Sequence, residues 1–181
     1  MAATTHLMTV EEFRKLPEDA GPVYHELRHG EIVPVTRPKY KHYAIQRRIR
    51  RLLEEWAPLG GVVDTEFAFR PFPEHELRVA DVAYVSGERE DAIDPEDNLR
   101  GAPDIVIEVL SPSNSAAEIY NKEKLCLENG AREFWTVDLE LRQVKVAAPD
   151  GKTLTWREGQ EIPLPLFGSE AGVKVDDIFR H

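Results

Sequence analysis

The chain has almost no cysteine, no long apolar run and no surplus of positive charge, and each shortage closes off a class of protein. Its single cysteine, Cys126, cannot make an internal disulfide, and no Cys/His grouping has zinc spacing. Cys126 reads as a small apolar residue on a helix face. The histidines (His6, His25, His29, His42, His75, His181) are scattered, so any metal is expected to be a hard ion held by oxygen. No segment approaches the ~18 apolar residues of a membrane helix, and no charged-then-apolar leader is evident. The expectation is a soluble, unexported, cytoplasmic protein. A formal net charge of −10 argues against coating nucleic acid by bulk electrostatics, because phosphate binding is driven by clustered Lys and Arg.

What is present suits one domain spanning 1–181: the 181 residues are 41% hydrophobic and 31% charged, with no repeat, linker or low-complexity segment. The charge is uneven. Arg37, Lys39, Lys41, Arg47, Arg48, Arg50 and Arg51, joined by His42, form a basic stripe.

Thr9-Val-Glu-Glu12 has the form of a capping box, and Pro17 marks the end of a short first helix. Val23–Arg28 and Glu31–Val35 read as strands around a tight turn at His29-Gly30. From Tyr40 to Ala57, Ile45, Ile49, Leu52, Leu53 and Trp56 recur at helical spacing, and Pro58 with Gly60-Gly61 ends that helix. Three strands follow over Gly61–Arg70, Leu77–Val85 and Asp104–Ser111. The last is nearly unbroken apolar sequence, as in a central strand covered on both faces. A helix over Ala116–Glu128 stops at Asn129-Gly130, and Glu133–Val137 resumes as a strand. Gln143–Ala148 and Thr153–Arg157 around Pro149-Asp-Gly151 read as a hairpin, and Ile162–Phe167 and Val173–Phe179 finish the chain.

Two carboxylates interrupt this apolar pattern. Alternation puts Leu77, Val79, Asp81, Ala83 and Val85 on one strand face, and Glu108 breaks the run Ile105-Val-Ile-Glu-Val-Leu110. An ionised carboxylate in an apolar layer costs several kcal/mol unless it is paired, hydrogen-bonded or metal-bound. If the strands are neighbours, a cation between the two anions removes both penalties. The ordinary alternative is that each pairs with an arginine, or that Asp81 lies at a strand end in water. A cation held by few carboxylates keeps water ligands and polarises a phosphoryl oxygen, which makes phosphodiester hydrolysis the natural chemistry. Such chemistry also wants a positive group to orient water or stabilise charge. Lys122 and Lys124 follow Glu108 on a helix, where residues two apart differ by about 200°, so only one can face the site; Lys122 is favoured.

Val79-Ala-Asp-Val82, Ala102-Pro-Asp-Ile-Val-Ile-Glu-Val-Leu-Ser-Pro-Ser113, Lys122 and Gly130-Ala-Arg-Glu-Phe-Trp-Thr-Val-Asp138 together resemble a large bacterial family of restriction-endonuclease-like proteins within the PD-(D/E)XK nuclease superfamily. Tyr24-His-Glu-Leu-Arg-His-Gly-Glu-Ile-Val33 and His42 extend the likeness, which covers roughly Val10 to Asp138. The resemblance implies an α/β (α+β) fold: a restriction-endonuclease-like core with a central mixed β-sheet flanked by helices, plus N-terminal and C-terminal β-hairpins. It implies Asp81 and Glu108 as metal carboxylates, the Val109 carbonyl as a further ligand, Lys122 as the catalytic ammonium, and Mg2+ or Mn2+ as cofactor. The superfamily's usual lysine position, two after the glutamate, is Leu110, and Ala80 stands where the motif has proline. Glu31 is a candidate third metal carboxylate. Glu66 alternates away from the core and stays outside the site, and Pro103-Asp104 is read as a turn or cap. DNA is the implied partner, with Lys41, His42, Arg47, Arg48 and Arg51 as backbone contacts, and cutting both strands suggests a homodimer. Two function classes stay open: a metal-dependent endonuclease, and a non-catalytic interaction or oligomerisation module on the same fold. A metal-free glycoside hydrolase is disfavoured, since no sugar-binding aromatic cluster is evident.

Overall fold

A computed structural model describes residues 6–17, 23–72, 74–112, 114–168 and 170–180. Ser113, part of the motif ahead of the Ala116 helix, lies outside them.

The N-terminal helix α1 (Val10–Phe13) starts as its sequence dictates: Glu12 N–H donates to Thr9 Oγ1 at 3.2 Å and Thr9 N–H to Glu12 Oε2 at 2.8 Å. Strands β1 (Val23–Arg28) and β2 (Glu31–Thr36) pair antiparallel around His29 and Gly30, whose φ angles of 49° and 74° make the two-residue turn that matches strand twist. A Cβ on Gly30 would lie 2.7 Å from Leu7 Cβ, so the turn tolerates only glycine there. Helix α2 (Tyr40–Glu54) buries Ile45, Gln46, Ile49 and Leu53 on one face.

The remaining strands build a seven-stranded mixed sheet in the order β5-β3-β4-β6-β7-β8-β9. They are β3 (Val62–Arg70), β4 (Arg78–Val85), β5 (Leu99–Arg100), β6 (Ile105–Val109), β7 (Glu133–Asp138), β8 (Gln143–Ala147) and β9 (Thr153–Arg157). Pairs β3–β5 and β6–β7 run parallel and the rest antiparallel. Strand β6, the fully buried Ile105–Val109, lies fourth of seven, as its unbroken apolar run requires. The hairpin expected near the C-terminus is no appendage: β8 and β9 extend this sheet to its edge. The short helix α3 (Gly87–Glu90) follows β4.

Helix α4 (Ala116–Glu128), capped by Ser115 and Glu118, crosses from β6 to β7, and its Ile119 and Cys126 join Phe69, Ala83, Val106 and Phe134 on one face of the sheet. The opposite face is covered by α2 and the C-terminal α5 (Val175–Phe179), with Ile49, Leu53 and Ile178 packed on Val82, Ile107 and Trp135. Strands β10 (Glu161–Pro163) and β11 (Gly172–Lys174) form a separate pair, so the segment expected as one run from Val173 divides into a strand and a helix. Among the described residues no helix is long and apolar enough to cross a membrane.

Candidate active site

The ladders bring the two interrupting carboxylates together. The β4–β6 ladder ends at Val82–Ile107, so Asp81 and Glu108 are the next residue beyond it on each strand, and the pairs Thr65–Val82 and Phe67–Ala80 bracket Glu66 and Asp81. Glu66, Asp81 and Glu108 therefore form one row across three adjacent strands, and the row continues through Thr136 of β7. Among the described residues the ion-pair partner of Asp81 is His42 and that of Glu108 is Lys122, not an arginine.

The pleat does not run smoothly through this row. Ala80 packs in the same apolar cluster as Ala83 and Val85, which strict alternation forbids, and Phe67 and Phe69 change sides relative to Val63. The reversal coincides with Glu66, whose φ of 53° is left-handed in the middle of a strand. The expectation that Glu66 points away from the site is thereby corrected. Gln46, fully buried on α2, donates from Nε2 to Glu66 Oε1 at 2.6 Å and to Asp81 Oδ1 at 2.8 Å. Burial raises the Glu66 carboxyl above its ordinary value.

Asp81 Oδ2 accepts the Val109 N–H at 2.7 Å and lies 3.4 Å from His42 Nε2. His42 Nε2 is also 2.7 Å from the Val109 carbonyl oxygen. Glu108 Oε1 stands 2.8 Å from Lys122 Nζ, yet among the described residues no donor is aligned on it, while Lys122 Nζ donates to the Val79 carbonyl at 2.7 Å. Burial pushes the Glu108 carboxyl up, opposed by Lys122. Burial also pulls Lys122 down, but Glu108 and then Glu26 outweigh it and the ammonium stays charged. Lys124 instead faces solvent, 3.9 Å from Glu128, so helical phase selects Lys122 as the inward residue.

These groups floor a cleft of about 680 Å³, walled by the β1–β2 hairpin on one side and by Leu110, Ser111, Pro112 and Asn114 on another. Glu26, which sequence reasoning missed, lines it at 2% exposure, accepting the Val79 N–H and Arg28 Nε at 2.9 Å each. The signal was available: Glu26 interrupts a strand as Asp81 does. Nothing local marks Gln46, because an amide on an amphipathic helix normally belongs to its wet side.

The other proposed residues separate. Glu31 is exposed at the start of β2 beside Arg28 and does not line the cleft, because the hairpin register turns Glu26 inward in its place. Of the basic stripe, Lys41 and His42 reach the cleft, with Arg37 and Lys39 beside them. Arg48 donates to the Ile178 carbonyl at 3.0 Å, Arg47 lies over the Tyr43 ring at 5.5 Å, and Arg51 does not line the cleft. Asp104 is a structural clamp, accepting the Ser86 N–H at 2.9 Å and pairing with Arg89 at 3.1 Å.

The donor set fits a divalent cation of modest affinity. Asp81, Glu108 with its undirected buried oxygen, and the Val109 carbonyl offer hard oxygens at one end of the cleft. Among the described residues no three His, Cys, Asp or Glu side chains are already gathered as a cage, so waters would complete the shell.

Comparison with known proteins agrees with this architecture. Residues 10–173 match the Uma2 family, described as "Putative restriction endonuclease". A crystal structure from Anabaena variabilis ATCC 29413, titled "a putative nuclease belonging to DUF820", superposes with a TM-score of 0.79 at 26% identity, covering 95% of this chain and 97% of that one. No curated protein matches the chain.

Proposed function

The chain belongs to the Uma2 family, and from that premise we propose that it is an endonuclease that hydrolyses DNA phosphodiester bonds with Mg2+ or Mn2+ held by Asp81, Glu108 and the Val109 carbonyl. The observation that carries this reading is the meeting of Asp81 and Glu108 on adjacent strands at the floor of an open cleft, with an unaligned buried carboxylate oxygen. A cation bound there supplies Lewis-acid polarisation of the phosphoryl group and makes water a better nucleophile at neutral pH. Gln46 and the Val109 N–H fix the Asp81 carboxylate, so its orientation costs nothing when substrate arrives. Lys122 contributes a charged ammonium to the wall nearest Glu108, where it stabilises negative charge developing on the phosphoryl oxygens. Arg37, Lys39 and Lys41 line the cleft and would take the flanking phosphates. Severing both strands of a duplex calls for two such centres, hence a homodimer, checked by sedimentation.

A second reading has one observation in its favour. Lys122 Nζ is already paired in charge with Glu108 at 2.8 Å and donates to the Val79 carbonyl, as in a structural pair, which would suit a non-catalytic interaction module. Incubation of plasmid DNA with the protein and Mn2+ separates the two. Cleavage is expected with wild type and not with Asp81→Asn of unchanged circular dichroism. Equal cutting by both, or none by either, removes the proposal.

A further inference from the structure

His42 stands in the first turn of α2, and its ring reaches across to the strand ends of the sheet. Its Nε2 lies 2.7 Å from the Val109 carbonyl oxygen and 3.4 Å from Asp81 Oδ2. Asp81 Oδ2 is in turn tied to Val109 by its N–H at 2.7 Å. An ion with six ligands at about 2.1 Å sets neighbouring ligand atoms about 3 Å apart, so the 2.7 and 3.4 Å separations of Nε2 from the carbonyl and the carboxylate suit adjacent corners of one coordination shell. Three elements, α2, β4 and β6, each deliver one corner. The imidazole is held from one side only: Nδ1 is buried with no partner among the described residues. Nε2 donates its proton to the carbonyl oxygen in this arrangement, so ligation requires the other tautomer, with the proton on Nδ1 and Nε2 turned to the ion.

We infer that His42 is a metal ligand, its Nε2 joining Asp81 Oδ2 and the Val109 carbonyl around the cation, and that the centre in consequence selects Mn2+ over Mg2+. The inference rests on the proposed nuclease reading and deepens it. Selectivity follows from ligand chemistry: Mg2+ prefers oxygen donors and releases its waters reluctantly, whereas imidazole nitrogen binds first-row transition ions more firmly. His42 then has a different duty from the phosphate contact expected of it in the basic stripe. A simpler role, a donor that only tethers the Val109 carbonyl, leads to the opposite result in each measurement below.

The test uses the full chain with Mn2+ and Mg2+ and does not depend on turnover. Pulsed electron paramagnetic resonance of the Mn2+-loaded wild type is expected to show coupling to a directly bound nitrogen, and growth with 15N-histidine should convert it to the 15N pattern. That experiment needs no variant, so it stands even if a substitution unfolds the chain. Calorimetric titration of His42→Asn is expected to show Mn2+ affinity at least about tenfold weaker, since even outer partners of metal ligands are worth about 10–100-fold, with Mg2+ affinity changed much less. Mn2+ binding that vanishes in Asp81→Asn yet shows no histidine nitrogen, or an unchanged Mn2+/Mg2+ ratio in His42→Asn, overturns this inference and leaves the nuclease site standing. Absence of Mn2+ binding, or binding indifferent to Asp81→Asn, overturns both.

Discussion

Replacing Lys122 with methionine tests whether the buried pair at the cleft floor is coupled as the geometry requires. Lys122 and Glu108 side chains are each 10% exposed, and the ammonium lies 2.8 Å from the carboxylate while also satisfying the Val79 carbonyl at 2.7 Å. Methionine keeps the stem's volume but leaves a buried carboxylate without its counter-charge and a carbonyl without its donor, and breaking a buried pair in this way costs about 3–5 kcal/mol. Part of that is recovered when Glu108 takes up a proton. Burial already raises its folded pKa above the ordinary 4.5, and loss of Lys122, the chief opposing influence, raises it further. A raised folded pKa gives stability that is fully present below the unfolded value and is lost as pH rises through the folded one. The destabilisation by Lys122→Met should therefore be small near about pH 5 and approach its full size near about pH 9. At full size it lowers the thermal midpoint by roughly 6–20 °C, at about 2–4 °C per kcal/mol for a chain of this length. Adding Glu108→Gln removes the orphaned charge and should restore most of the loss, a coupling of about 2 kcal/mol or more. Urea unfolding followed by circular dichroism at both pH values measures all four corners of the cycle. Single effects that add to within about 0.5 kcal/mol, or a Lys122→Met penalty independent of pH, would refute the reasoning.

Asp97 offers the opposite sign of pH dependence. Burial alone would raise its pKa, but hydrogen bonds from Arg70, itself 1% exposed, at 2.8 and 2.9 Å hold it well below the ordinary 3.8. Its contribution is present above 3.8 and fades as pH falls towards the folded value. Asp97→Asn should thus cost about 2–4 kcal/mol at neutral pH and flatten acid denaturation monitored by fluorescence; an unaltered acid limb would show the pair to be idle. Cys126 is buried and its thiol is pushed up to about 12, so an aromatic disulfide reagent should react only at the rate of unfolding, and prompt native labelling would contradict its packing. For DNA affinity against salt, Lys39→Ala and Lys41→Ala should each lower the log–log slope by about 1, whereas Arg47→Ala and Arg51→Ala should leave it unchanged. Equal effects from all four would place the DNA along the whole of α2 instead of at the cleft.

Local chemistry made much of the fold legible. The Thr9 capping box, the His29-Gly30 turn, the apolar stripe of α2 and the unbroken apolar run of β6 each depend on neighbours within a few residues, and each stands where its sequence indicates. Less visible was what happens between elements. Glu66 was misread because alternation assumes a continuous pleat, and its left-handed φ inverts the pleat there. Glu31 and Glu26 lie on one hairpin, and only docking of that hairpin against Leu77 and Val79 decides which of them faces the floor.

By itself, then, the sequence determined that two carboxylates interrupt apolar strands and therefore need compensation, by a shared cation or by a partner each, since desolvation of charge is a property of residue type and local pattern. It also narrowed the ammonium to Lys122 or Lys124 through helical phase. Only tertiary structure decided the remainder: Asp81 beside Glu108 through strand register, Gln46 between Glu66 and Asp81, and His42 turned onto the Val109 carbonyl. Those contacts join residues 20 to 67 positions apart, and at such separations it is packing of whole elements, not any local preference of the chain, that selects which polar atoms meet.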